Sequence, residues 1–529
     1  MATSRLLRTS AAALAATALL ISGCSSGSSS PEAAAAPGRT AEAGAQRPAD
    51  DASLAPLPAA TPANLRPYYD QKLSWHPCGV AGFECATLKA PLDYTKPGAA
   101  TDLKLAVARK KATGPGSRIG SLLVNPGGPG GSAIDYLQQY APQPAAVRAR
   151  YDMVAMDPRG VARSEPVECL SDKQMDRYTQ TDQTPDSPAE VNKLTTAYRN
   201  FAKGCESHSG KLLPHVSTIE AARDMDVLRA VLGDQKLNYV GSSYGTFLGA
   251  TYAGLYPPRV GRMVLDGAMN PALDSRTINI DQTAGFNTAF TAFAKDCIKR
   301  KDCPLGTKSV QDAGRQLSAL FKKLDAHPAE TGEARKLTES LATTGVIAAM
   351  YDNRAWPVLR QYLAQAKAGN GRGLLTLSDS YYERDPSGDY ANQMYANPAV
   401  NCLDLPSAFT TPDQVRASLP SFRKASPVFG ESFAWASLNC GYWPVKPTGT
   451  AHRIVAKGAA PILVVGTTRD PATPYVWAKA LASQLSSATL LTYDGDGHTA
   501  YGRGSDCIDT AINTYLLEGT VPPNGKHCK

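Results

Sequence analysis

Ser243 stands within Gly241-Ser242-Ser243-Tyr244-Gly245, a pattern able to present a serine hydroxyl as a nucleophile. An apolar run (Leu237, Tyr239, Val240) precedes it and a helix-like stretch to Tyr256 follows, so the pentapeptide reads as a tight turn between strand and helix. Glycines at its two ends permit that turn, because a side chain at either would collide with neighbouring backbone. A serine hydroxyl is a poor nucleophile at neutral pH. It needs a histidine to take its proton and a carboxylate to orient that histidine.

Both follow downstream. Pro461 to Gly466 reads as a buried parallel strand that releases Thr467-Thr468-Arg469-Asp470. A helix-like stretch from Pro474 to Leu485 and a second apolar run, Ala488 to Tyr493, lead into Asp494-Gly495-Asp496-Gly497-His498. Of seven histidines, His498 is the only late one that directly follows a strand-like run in a Gly-rich turn. Asp470 is the preferred acid, because a full helix separates it from the next strand. Asp266, Asp494 and Asp496 are the alternatives.

Acyl transfer also needs backbone N–H donors where negative charge develops on the carbonyl oxygen. Tyr244, directly after the nucleophile, supplies one. The strand Ser121 to Val124 runs into Asn125-Pro126-Gly127-Gly128-Pro129-Gly130-Gly131-Ser132, whose glycines allow close approach and whose prolines stiffen the loop. Gly128 is the expected second donor, with Gly127 next. The loop lacks the Lys-Ser/Thr ending of a phosphate-binding loop and the spacing of a dinucleotide fingerprint.

The elements that must position these groups fall into three stretches. Residues 65–270 read as strands alternating with helices, including a capping box at Ser217-Thr218-Ile219-Glu220 that opens a helix to about Leu232. Residues 271–455 read as mainly helical and loop-rich. Residues 456–529 return to the strand–helix rhythm. The fold class is therefore α/β, a mostly parallel central sheet with helices on both faces and an inserted helical cap domain. Ser243, Asp470 and His498 share the carboxyl edge of the sheet, where such folds bind ligands. The insertion would lie above that edge.

Together, Asn125 to Ser132, Asp157-Pro158-Arg159-Gly160, Gly241 to Thr246, Arg469 to Pro474 and Gly497-His498 resemble the secreted tripeptidyl aminopeptidases of actinobacteria. The related mycelium-associated lipoprotein proteases share these motifs, and proline iminopeptidases are more distant relatives of the same α/β-hydrolase fold. The resemblance covers roughly residues 65 to 528. It implies Ser243 as nucleophile, Asp470 as orienting acid, His498 as proton carrier, and release of short peptides from free N-termini. Pro126 stands where proline iminopeptidases carry histidine, and Ala162 replaces a glycine common in the Asp-Pro-Arg-Gly loop.

Arg5 and Arg8 precede an Ala/Leu-rich stretch from Ala11 to Ile21 and then Ser22-Gly23-Cys24. This reads as an export signal, residues 1–23, too short in its apolar run to span a bilayer. Leu20 to Cys24 resembles a bacterial lipobox, which implies lipidation of Cys24 and anchoring to the outer face of the cell membrane. Residues 24–64, rich in Ser, Ala, Gly and Pro, read as a tether. Eleven cysteines minus Cys24 leaves ten, an even number suited to disulfides in an oxidising compartment. Near-neighbour pairing gives Cys78–Cys85, Cys169–Cys205, Cys297–Cys303, Cys402–Cys440 and Cys507–Cys528 as a hypothesis. No Cys/His grouping has metal-ligand spacing, and no cofactor is expected. A formal charge of +8 with dispersed basic residues and no recognition motif argues against a nucleic-acid partner.

The expected partners are peptides or proteins. A reader of the substrate ammonium is needed in an exopeptidase, and the cap offers Asp404, Glu383 and Asp385. The same triad would serve an esterase or lipase, although no long apolar lid is visible. A non-catalytic surface lipoprotein would not require all three triad residues.

Overall fold

The computed structural model describes residues 53–529 apart from 140 and 142. Cys24, the export signal and most of the expected tether lie outside the described residues.

Ten strands form one sheet: β1 (His76–Pro77), β2 (Glu84–Pro91), β3 (Asp102–Lys110), β4 (Gly120–Asn125), β5 (Tyr151–Met156), β6 (Leu237–Ser242), β7 (Val260–Asp266), β8 (Ile462–Arg469), β9 (Ala488–Asp496) and β10 (Lys526–Cys528). Their order across the sheet is β1-β2-β3-β5-β4-β6-β7-β8-β9-β10. The β1–β2, β2–β3 and β3–β5 pairings are antiparallel, and every pairing from β5 onward is parallel. Strands covered on both faces read as continuous apolar runs. β4 accordingly buries all six of its residues, and Ile462 to Val465 of β8 are fully buried.

The helices that matter for the site are α1 (Ala133–Gln139), α2 (Thr218–Val231), α3 (Tyr244–Leu255), α4 (Ser275–Cys297), α5 (Glu339–Met350), α6 (Gln393–Asp404), α7 (Tyr475–Gln484) and α8 (Asp506–Glu518). Ser217 caps α2 by accepting the Glu220 N–H. The Glu220 carboxylate turns toward the Ser217 hydroxyl, His215 and Arg159 rather than back to the cap's own N–H.

Between β7 and β8 the chain is helical, from α4 to a short turn ending at Tyr442. Phe286, Phe290 and Phe293 of α4 and Leu341 and Val346 of α5 form an apolar cluster of their own within it. α6 packs into the core instead. Its Tyr395, Ala399, Val400 and Leu403 pack into the cluster beneath the sheet, alongside Tyr244 and Leu248 of α3. The last turn of α6 is thereby pinned next to the start of α3.

All ten cysteines in this region are paired: Cys78–Cys85, Cys169–Cys205, Cys297–Cys303, Cys402–Cys440 and Cys507–Cys528. Among the described residues, no helix is long and apolar enough to cross a membrane.

Candidate active site

β6 ends at Ser242 and α3 begins at Tyr244, so Ser243 alone makes the turn between them, at φ 57° and ψ −125°. A residue with a side chain adopts such a backbone only when its surroundings impose it. Here the Ser243 N–H donates to the Asp266 carbonyl at 2.9 Å, and the Ser243 carbonyl accepts from the Thr246 N–H at 2.8 Å and from its hydroxyl at 2.6 Å. The flanking glycines are required by crowding. A Cβ on Gly241 would lie 2.3 Å from the Gly245 carbonyl oxygen, and one on Gly245 would lie 2.8 Å from that of Asn125.

Asp470 and His498 sit on the loops after β8 and β9. The His498 Nδ1 lies 2.8 and 2.9 Å from the two Asp470 carboxylate oxygens. Asp470 is buried and also accepts the N–H groups of Ala472 at 2.9 Å, Thr473 at 2.8 Å and Thr499 at 3.1 Å. An acceptor-only carboxylate beside Nδ1 assigns the proton to that nitrogen and leaves Nε2 with a lone pair. Nε2 is buried and has no hydrogen-bond partner among the described residues. The His498 N–H donates to the Tyr351 carbonyl at 2.8 Å, and the Tyr351 ring meets the imidazole edge-on, with ring centres 5.4 Å apart. Thr473 Oγ1 stands 3.4 Å from Nδ1.

Ser243, His498, Gly127 and Gly128 line one cavity of about 390 Å³. Ser243 and His498 are thus brought to the same space, though no hydrogen bond joins them.

The alternative acids are engaged elsewhere. Asp494 and Asp496 pair with Arg469 at 2.9 and 2.6 Å. Asp266 is buried, its carboxyl raised by that burial, and it accepts the N–H groups of Ala500 at 3.0 Å and Tyr501 at 2.9 Å.

In the Gly-rich loop after β4, the Gly127 N–H is already held by Asn125 Oδ1 at 2.9 Å. Gly128 is the next donor along, and it lines both cavities that Ser243 lines. Gly127 has φ 99°, and a Cβ there would lie 2.5 Å from the Ser242 carbonyl oxygen and 2.9 Å from the Tyr244 nitrogen. Its lack of a side chain is what lets the loop lie against the elbow. Tyr244 opens α3, and the first N–H groups of a helix have no intrahelical partner.

A second cavity, about 380 Å³, also includes Ser243 and Gly128. Asp404, at the end of α6, lines it. Its carboxylate is buried, accepts the Thr218 N–H at 2.9 Å and the Thr218 hydroxyl, and has no cationic partner among the described residues. Burial pushes its pKa up to about 7. The Thr218 hydroxyl in turn meets the Tyr244 hydroxyl at 2.6 Å, linking Asp404 to the residue after Ser243. Glu383 lines the first cavity, with His498, and not the second. Asp385 lines neither. Its carboxylate is spent on a turn, accepting the N–H groups of Ser387 at 2.8 Å and Asp389 at 3.0 Å.

Sequence reading missed the bracing role of Asp266 and the contributions of Asn125, Tyr351 and Thr473. Asn125 alone carried a local signal, as an Asn two residues before a glycine whose N–H it can bond.

Residues 426–528 match the family model described as TAP-like protein. The chain is 39% identical over 482 residues to the serine protease Hip1 of Mycobacterium tuberculosis, covering 87% of this chain and 92% of that one. It is 39% identical over 471 residues to a protein of the same organism named carboxylesterase B, covering 86% and 89%. It is 32% identical over 475 residues to the tripeptidyl aminopeptidase of Streptomyces lividans, covering 86% of each.

Proposed function

Because the chain belongs to the tripeptidyl aminopeptidase family of α/β-hydrolases, and is a hydrolase of the serine peptidase kind, we propose that it is an exported exopeptidase that removes short peptides, tripeptides above all, from free N-termini. The observation that carries the reading is the His498 Nε2: buried, unpartnered, and in the cavity that Ser243 lines.

Ser243 is the nucleophile, His498 the general base and then general acid, and Asp470 the group that holds the imidazole in one tautomer and stabilises its charged form. As the hydroxyl attacks the peptide carbonyl, its proton passes to Nε2. The N–H groups of Tyr244 and Gly128 take the charge that develops on oxygen. Nε2 then protonates the departing amine, and water hydrolyses the acyl-enzyme by the reverse route. Residues 271–455 act as a cap domain over this edge of the core, formed by 65–270 and 456–529. Lipidation at Cys24 and a tether following it hold the enzyme at the membrane. The tether expected to reach residue 64 ends earlier, because the Leu54 N–H donates to the Arg453 carbonyl and the Leu57 N–H to the Leu255 carbonyl, each at 2.9 Å, and fix this stretch to the core.

Asp404 reads the substrate ammonium, and a buried carboxylate without a cation supports that role. A tripeptidyl anilide with a free amine should be cleaved with a kcat/KM at least tenfold above its N-acetylated counterpart, a difference of about 1.4 kcal/mol. Equal cleavage of both would remove the exopeptidase reading.

An esterase is the second reading, favoured by the relative named carboxylesterase B. The same acyl-enzyme chemistry accepts either donor. Hydrolysis of short-chain nitrophenyl esters with no cleavage of any peptide anilide would decide for it.

A further inference from the structure

Two cavities meet at the nucleophile, and each holds one carboxylate without a cation. Gly128, Ser243, Tyr381 and Asn397 line both. Asp404 belongs to one; His498 and Glu383 belong to the other. The position of the base makes the two sides inequivalent. His498 must return its proton to the leaving amine, so the segment after the scissile bond has to run past His498.

We infer that the cavity shared by His498 and Glu383 receives the leaving part of the peptide, and that Glu383 selects a lysine or arginine side chain there, within the first two residues after the scissile bond. This rests on the exopeptidase reading above and moves Glu383 from the substrate amine to the opposite half of the substrate.

The loop carrying Glu383 is built to hold it in place. Glu383 has φ 51°, in the left-handed region that a residue with a side chain seldom adopts. Its carbonyl accepts the Ala391 N–H at 3.1 Å. Its neighbour Arg384 pairs with Asp176 at 2.8 Å, and the Tyr390 hydroxyl donates to the same carboxylate at 2.9 Å. Strained backbone that is over-determined in this way concentrates at ligand sites. The Glu383 carboxylate itself makes no ion pair and accepts no hydrogen bond among the described residues.

Glu383 is exposed as a residue. The protein around its carboxyl, and then the nearby Asp135 charge, push that group up, which a bound cation would reverse. Tyr351, Tyr381 and Met394 line the same space. They offer apolar and aromatic surface to the stem of a lysine or arginine whose head reaches the carboxylate.

The test is kcat/KM for free-amine peptides with one fixed acyl tripeptide, followed by Lys, Arg, Leu or Glu. Wild type should favour Lys and Arg over Glu by roughly tenfold or more. Glu383→Gln should bring the ratio close to one, and Glu383→Lys should invert it toward Glu. If Glu383→Gln instead erases discrimination between free and acetylated N-termini, Glu383 reads the acyl amine and the assignment falls. Unchanged preferences in both variants overturn it too. Tripeptidyl anilides, whose leaving group carries no side chain, are measured on wild type alongside. Failure there strikes the exopeptidase reading, whereas a flat Lys-to-Glu series with active anilide cleavage strikes only Glu383.

Discussion

Asp266 and Ser243 are joined by a 2.9 Å hydrogen bond from the serine N–H to the aspartate carbonyl, and the Asp266 carboxylate grips the Ala500 and Tyr501 N–H groups just beyond His498. One residue at the end of β7 therefore fixes both the elbow and the histidine loop. It sets the spacing of two groups that lie 255 positions apart in the chain.

Asp266→Asn keeps the size of the side chain but turns an amide N–H₂ toward backbone donors. One buried donor loses its acceptor, at a cost of about 1–3 kcal/mol in stability. Because a displacement of about 1 Å can cost on the order of 10²-fold in rate, kcat should fall by about that factor with KM little changed. Thermal melting together with steady-state kinetics checks both. A normal kcat in a stably folded Asp266→Asn would leave Asp266 no positioning role.

Gly127→Ala should abolish activity and lower stability. Its Cβ would fall 2.5 Å from the Ser242 carbonyl oxygen, so either the elbow or the Gly-rich loop must move. Circular dichroism and anilide hydrolysis measure the two consequences. A variant with full activity would mean that the loop does not lie against the nucleophile.

Asp470→Asn should leave the fold intact and reduce kcat by about 10⁴-fold, because an amide at this position stabilises the wrong imidazole tautomer. The measurement is single-turnover acylation of Ser243. A loss of less than about tenfold would pass the orienting role to another carboxylate.

Asp404 gives a pH signature. Its folded pKa is raised to about 7, so below that pH it is increasingly protonated and cannot pair with an ammonium, while a peptide α-amino group stays charged up to about pH 7.7. The preference for free-amine over N-acetylated peptides should therefore shrink as pH falls from about 7.5 to about 5.5. Taking this ratio cancels any pH dependence of the acylation step common to both substrates. For stability the sign is opposite to that of an ion-paired carboxylate. The folded state binds this proton more tightly than the unfolded chain, so Asp404 costs stability progressively as pH rises from about 4 to 7. Asp404→Asn should raise the melting temperature at pH 8 relative to wild type and lose the free-amine preference. No shift in either would leave Asp404 a plain component of the Thr218 network.

The placement of Ser243, Asp470 and His498 was legible in the sequence because each follows a run whose pattern is local. Leu237 to Val240, Ile462 to Gly466 and Ala488 to Tyr493 lie in strands, and Gly241, Gly245 and Gly497 flank or follow the tight turns at their ends. The helical character of 271–455 was legible for the same reason. The bracing by Asp266 was not, because its partners are backbone N–H groups, which carry no residue code. The contrast between Asp404 and Asp385 was equally hidden. Both are aspartates in helical surroundings, and tertiary packing of the end of α6 against the start of α2 buries the first, while the second closes an exposed turn. The place of Glu383 in the cavity with His498 depends on a left-handed backbone that no local sequence signal announces.

The central claim is that Ser243 is made reactive by His498, and reaction with a fluorophosphonate probe followed by peptide mass mapping tests it most directly. The adduct should form on Ser243 in wild type, vanish in Ser243→Ala, and form at least 10³-fold more slowly in a folded His498→Ala. An unlabelled Ser243, or labelling that proceeds at the wild-type rate without His498, would contradict it.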